Sequence, residues 1–180
     1  MWDRLHLLTD PPPAGDLPMA AVLVPLYEDQ AGDVRVVLTK RPETMPTHAG
    51  HISFPGGGPD PGDSGPIDTA LREAYEEVGI PPGDVEVLGF LPTINTVEFR
   101  LLVVPVVGRL AGVPQLVPSE REVAMVLEPR LADLSEPDRW RFELWQGRQV
   151  WFYDLEGEIL WGATASMMRQ LLGFDVQMIS

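Results

Sequence analysis

Short apolar runs alternate with polar or glycine- and proline-rich breaks along the chain, and the runs fall into two periods. Residues 19–27 (MAAVLVPLY) are apolar and rich in β-branched side chains, which predicts a strand. Residues 34–40 (VRVVLTK) are predicted as its neighbour across the polar turn 28–33, so the two form a hairpin. Residues 41–50 form a loop broken by Pro42 and Pro46. Residues 51–54 are a short strand that delivers the chain to Pro55-Gly56-Gly57-Gly58. A helix follows over 66–78. Pro66 suits the first helical position, with Ser64 or Gly65 as the cap. Gly79 can take the left-handed conformation, Ile80 supplies an apolar residue behind it, and Pro81-Pro82 forbids continuation. Ala70, Leu71, Ala74, Tyr75 and Val78 give this helix an apolar side.

Further strands are predicted over 85–91, 99–107 and 123–127, separated by a loop at 108–122. A helical turn at 129–134 precedes a hairpin, 139–145 with 149–153, that reverses at Gly147. The last helix covers 160–172 and is closed by Gly173. Residues 1–17 form an N-terminal extension, with a helical turn from 2 to 8 ended by Pro11, Pro12 and Pro13. Strands alternating with helices predict an α/β layer arrangement, and 180 residues with 44% hydrophobic content suit one domain spanning the whole chain.

A formal net charge of −14 argues against nucleic acid as a partner, because phosphate-backbone contacts need a basic footprint. An anionic small molecule stays open, since a bound cation reverses the local field. Without cysteine there is no disulfide framework, thiolate metal site or thiol nucleophile, which fits a cytoplasmic location. The first residues lack the basic-then-apolar pattern of a signal peptide. No run of about 18 apolar residues occurs, so neither a membrane span nor a membrane partner is expected.

The helix over 66–78 carries the candidate chemistry. Helix neighbours lie three or four residues apart, so Glu73 shares a face with Glu76 and with Glu77. A glutamate-rich helix face is ordinarily solvated surface. Three carboxylates this close repel each other unless something positive sits between them, and Mg²⁺ or Mn²⁺ is the natural candidate because hard cations prefer oxygen ligands.

Arg72, Glu73, Glu76, Glu77, Gly79 and Ile80 match the core of the Nudix box, G-x5-E-x7-R-E-U-x-E-E-x-G-U with U aliphatic, and Ala74 stands at the small apolar position. The chain resembles that family. Its upstream half departs: with Gly57 as the first glycine, Asp63 holds the acidic position and one extra residue precedes Arg72. A second stretch, Leu38-Thr39-Lys40-Arg41, then Gly50, then Phe54-Pro55-Gly56-Gly57, is similar to the signature of the coenzyme A pyrophosphatase branch. Val37, Pro42 and Pro46 depart from that signature. Trp161-Gly162-Ala163-Thr164-Ala165 resembles the W-G-x-T-A stretch that opens the final helix in this branch. The fold implied is an α/β/α sandwich with a mixed sheet between helices.

The resemblance implies metal-assisted hydrolysis of a diphosphate, and on coenzyme A cleavage to 3′,5′-ADP and 4′-phosphopantetheine. It makes Glu73 and Glu77 the first-choice metal ligands, with Glu76 sharing a second ion or orienting water and the Gly57 carbonyl completing the shell. Arg72 is expected to fix a neighbouring glutamate. Glu76, Glu73, Glu120 and Glu122 are the candidates for general base. Lys40 and Arg41, with Gly56 and Gly57, are the candidates for substrate binding.

Overall fold

The computed structural model describes residues 2, 5, 7–11, 18–45, 47–96 and 101–174. Residues 3, 4 and 6 of the expected N-terminal turn, Pro46 and the start of the strand expected over 99–107 lie outside the described residues. The elements in chain order are strands β1 (Met19–Glu28), β2 (Val34–Val36), β3 (Leu38–Lys40), β4 (Ile52–Ser53) and β5 (Gly56–Gly57), helix α1 (Pro66–Val78), and strands β6 (Val85–Phe90), β7 (Ile94–Thr96), β8 (Leu101–Leu110) and β9 (Met125–Leu127). Helix α2 (Leu131–Leu134), strands β10 (Trp140–Trp145), β11 (Arg148–Leu155) and β12 (Glu158–Trp161), and helix α3 (Gly162–Leu171) complete the fold.

The central sheet runs β2-β1-β8-β6, with β5 also on β1 and β7 also on β8. β1 and β8 are parallel from Met19 opposite Leu102 to Leu26 opposite Arg109, whereas the other pairs of this sheet are antiparallel. Alternate residues of a strand point to opposite faces. Accordingly Ala21, Leu23 and Tyr27 join Ala70, Ala74 and Val78 of α1 in one core, while Val24 and Leu26 join Leu131 of α2 and Met167 and Met168 of α3 in another. Both faces of β1 are thus covered by helices, which explains its unbroken apolar run and gives the α/β/α sandwich implied by the resemblance.

Two smaller sheets, β4-β3-β9 and β10-β11-β12, complete the architecture. The strand expected over 34–40 is divided between sheets. β2 pairs with β1, whereas β3 pairs with β4 and β9. The join, Val37, is fully buried and gives its amide to the Pro25 carbonyl at 3.0 Å. The hairpin expected near Gly147 forms, but a third strand, β12, follows it, and α3 starts at Gly162 instead of residue 160. The strand can end there because Gly162 takes φ +68°. Phe54 is buried beneath the glycine turn, and Met167 and Met168 are core residues.

Candidate active site

Local chemistry sets the limits of α1. Gly65 is its N-cap without a side-chain hydrogen bond, and Ser64 instead binds Asp68 of the first turn through both its amide and its hydroxyl. Gly79 at φ +75° gives its amide to the Tyr75 carbonyl at 2.9 Å, and Ile80 gives its amide to Ala74 at 3.4 Å. Ala70, Ala74 and Val78 are buried against β1 and β8, but Tyr75 is 57% exposed and does not belong to the apolar side.

The three glutamates occupy three environments. Glu76 is half exposed, Glu73 is largely covered, and Glu77 is only 6% exposed. A fully solvated carboxylate face, the ordinary state of such a helix, is therefore not what this one presents. Burial pushes the Glu77 carboxyl up to about 8, and Glu73 and Glu122 add repulsion; the Gly56 N–H that it accepts and the charge of Arg41 act against this. Burial also raises Glu73, with Arg72 opposing the shift and Glu76 and Glu122 adding to it. Of the loop glutamates offered as bases, Glu122 thus acts electrostatically on both Glu73 and Glu77. Its loop is tied to the end of α1: Ser119 gives its amide to the Glu77 carbonyl at 2.8 Å and Val117 to the Val78 carbonyl at 2.9 Å.

Two glycines let β5 lie between β1 and α1. A methyl group on Gly56 would come within 2.4 Å of the Ala21 carbonyl oxygen, and one on Gly57 within 2.6 Å of the Glu73 carboxylate. The backbone of the glycine turn therefore touches the carboxylates directly, and no side chain can be added without moving them.

Arg72 organises the outer rim. Its guanidinium reaches Asp63 at 3.0 Å, Glu73 at 2.9 Å and Glu76 at 3.2 Å, and donates to the Gly58 carbonyl at 2.9 Å. Asp63 also accepts from Thr69 at 2.8 Å and from the Asp60 amide at 2.9 Å. These bonds, with Arg72 contributing most, hold the Asp63 carboxyl far below its ordinary range. Asp63, whose place in the sequence is shifted by the extra loop residue, is thus the anchor of Arg72. The sequence showed the acidic residue but not its partner, because the loop between them has no periodic signal.

The two candidate cations differ. The Lys40 ammonium is engaged by Glu158 of β12 at 2.8 Å, with Glu43 at 3.7 Å. This ion pair ties β3 to β12. Arg41 stays available. Its buried Nε has no hydrogen-bond partner, and its charge acts on Glu77. The rings of His48 and His51 pack edge-on at 5.4 Å.

Among the described residues no three His, Asp or Glu side chains form a ready-made coordination shell. Mg²⁺ needs none: it is commonly held by one or two carboxylates, waters and the phosphates of its substrate. Glu73 and Glu77, mutually repelling and partly desolvated, fit that requirement, and Glu122 stands close enough to add charge. A depression of about 500 Å³, lined by Glu28, Glu86 and Arg109 among others, lies at the far end of β1 and shares no residue with this cluster.

The NUDIX domain model matches residues 17–152. The chain is 40% identical over 156 residues to the Nudix hydrolase NudL of Pectobacterium atrosepticum, covering 84% of this chain and 80% of that one. It is 36% identical over 176 residues to NudL of Photorhabdus laumondii, covering 94% and 92%. Among solved structures, a MutT/nudix family protein from Enterococcus faecalis has a TM-score of 0.62 at 16% identity, covering 94% of this chain and 66% of that one. The NUDIX domain of Shewanella oneidensis NrtR, complexed with ADP ribose, has a TM-score of 0.53 at 20% identity, covering 67% and 77%. With the glutamate-bearing helix, its arginine clamp and the glycine turn in place, the chain belongs to the Nudix hydrolase family.

Proposed function

We propose that this protein is a divalent-metal-dependent pyrophosphatase that hydrolyses the diphosphate bond of coenzyme A or its derivatives, giving 3′,5′-ADP and 4′-phosphopantetheine or its acyl form. One observation carries the reading: a carboxylate pair, Glu73 and Glu77, is withdrawn from water beside an arginine, Arg41, whose buried Nε has no protein partner. A bound Mg²⁺ or Mn²⁺ would supply Lewis-acid stabilisation of charge on the phosphates. Glu73, Glu77 and the Gly57 carbonyl are the groups that would hold it, with Glu76 at the rim. Arg72, clamped by Asp63, keeps Glu73 in position. Arg41 binds phosphate oxygen, for which a planar guanidinium is suited. Glu122 or Glu76 accepts the proton of the attacking water; in support, the loop before Glu122 is fixed to the end of α1 and the Glu122 charge acts on Glu73 and Glu77. The Leu38–Arg41 and Phe54–Gly57 stretches support coenzyme A as the substrate. The family's small-molecule substrates and the net charge of −14 speak against nucleic acid as a partner, and the absence of cysteine suits the cytoplasm. No helix among the described residues is long and apolar enough to cross a membrane.

The test is turnover of coenzyme A with Mg²⁺, with and without chelator, products resolved by charge. Hydrolysis to the two named products, abolished by chelator and restored by Mg²⁺ or Mn²⁺, is expected. Turnover of ADP-ribose but not of coenzyme A would overturn the substrate assignment. Binding without turnover of any diphosphate would make the protein a sensor. Arg41→Ala should raise KM for coenzyme A far more than for a substrate lacking the 3′-phosphate; an equal rise on both removes Arg41 from recognition of that phosphate.

A further inference from the structure

A group of aromatic rings lies outside the carboxylate cluster. Phe152 of β11 and Trp161 of β12 are direct cross-strand partners, with rings 9° from parallel and centroids 6.2 Å apart. Trp145, at the end of β10, stands 6.0 Å from Trp161 at 58°, and His51 stands 4.9 Å from it at 67°. In the same small sheet Trp140, Tyr153 and Leu160 point into the core and are buried. By strand alternation the Phe152–Trp161 pair belongs to the opposite face. Trp161 and Phe152 are half-buried there, and Trp145 is 51% exposed. Single exposed aromatics need no explanation, but a contiguous set does.

This face is continuous with the candidate active site. The His51 carbonyl accepts the Arg41 amide at 3.0 Å, and the Arg41 side chain acts on Glu77. Lys40, next to Arg41, reaches Glu158 at the start of β12, which fixes the strand bearing Trp161 against β3. A nucleotide whose diphosphate lies at Arg41 and α1 has an uncharged ring system to place next to it. The chain carries 13 Lys and Arg against 27 Asp and Glu; Arg141 lies over the Phe152 ring at 5.0 Å, and stacking on Trp161 binds a base without a further cation.

We propose that Trp161, supported by Phe152 and Trp145, is the stacking surface for the nucleobase of the substrate. This rests on the pyrophosphatase reading for its ligand class, but its test reads binding, not turnover. The probe is adenosine 5′-diphosphate in Mg²⁺ buffer, followed by quenching of tryptophan emission, with ribose 5-phosphate as the baseless control. Stacking of one base typically accounts for about a 10- to 100-fold change in affinity. Trp161→Leu should therefore weaken adenosine 5′-diphosphate by about that factor and leave ribose 5-phosphate unaffected, and Trp161→Phe, which keeps a ring, should recover most of the loss. If Trp161→Leu does not fold, as judged by thermal unfolding, Phe152→Leu carries the same comparison. Equal affinity of wild type and Trp161→Leu for adenosine 5′-diphosphate overturns the proposal. So does equal loss for both probes, or a Trp161-dependent dimer, seen by light scattering, whose nucleotide affinity does not depend on the ring. Quenching that depends on Trp161 in a protein hydrolysing no diphosphate would leave this surface standing and the pyrophosphatase reading fallen.

Discussion

Glu77 is the residue on which the site is most sharply balanced. Its carboxyl titrates near 8 in the fold against an ordinary 4.5, chiefly through burial. Between these values the folded chain holds a proton that the unfolded chain has released, so stability falls as pH rises through that window. The chelator-treated protein should therefore lose thermal stability from about pH 5 to about pH 8, and Glu77→Gln should flatten that slope while lowering turnover by about 100-fold or more. Calorimetric melts across pH check the first part, and rates with Mg²⁺ the second. A mutant with the wild-type slope would mean that Glu77 is not the group responsible. Arg72 allows a separate expectation. Its forked contacts to Asp63, Glu73 and Glu76 cannot be reproduced by an ammonium, so Arg72→Lys should cost turnover at nearly constant KM. Steady-state kinetics decide this, since a rise in KM alone would make Arg72 a substrate contact.

The decisive unit at the scale of elements is β5 with α1. The two glycines of β5 fail differently when given a side chain. Gly56→Ala meets the Ala21 carbonyl and the Val22 backbone, which cannot move without breaking the β1 ladder, so it should lower stability by about 1–3 kcal/mol. Gly57→Ala meets the Glu73 carboxylate, the mobile end of a side chain, so it should spare stability and displace that carboxylate, lowering turnover instead. Thermal melts beside rate measurements separate the two; matching loss of stability in both would refute the distinction. At the other end of α1, Gly79→Val places a β-branched residue at φ +75° and should destabilise by about 2 kcal/mol, measured by urea unfolding. The limits of α1 were legible in the sequence because Pro66, Gly79 and Pro81 act locally. The division of residues 34–40 into β2 and β3 was not legible, because β2 pairs with the preceding strand β1 whereas β3 is selected by the distant β9. β12 was not legible for a related reason: its four residues lead directly into the positive-φ Gly162 and read as the start of the helix that follows them.

For the whole molecule, the core joining Val24 and Leu26 of β1 to Trp140, Tyr153 and Met168 crosses from the central sheet to the C-terminal sheet and α3. Neither part can bury its apolar side alone. We propose that the described fold unfolds as one cooperative unit, so far-UV circular dichroism and tryptophan fluorescence should give coincident urea transitions. Separate transitions would show that the C-terminal sheet is an independent body. The same packing bears on how the site could be read. Lys40 and Arg41 are adjacent and equally cationic in the sequence, yet one is held by Glu158 and the other faces Glu77. Successive residues at a strand end diverge in direction, and only the neighbouring strands determine what each meets.

By itself the sequence determined that α1 exists, where it begins and ends, and that Glu73, Glu76 and Glu77 share its surface, because helical period and capping are properties of neighbours along the chain. The Nudix pattern is legible for the same reason: it is a set of fixed offsets within one turn and one helix. Tertiary structure decided which glutamate is buried, that Asp63 clamps Arg72, that Lys40 pairs with Glu158, and that Trp161 packs on His51, the backbone partner of Arg41. Each of these depends on segments brought together by the cores on either side of β1, and desolvation and ion pairing act across space instead of along the chain.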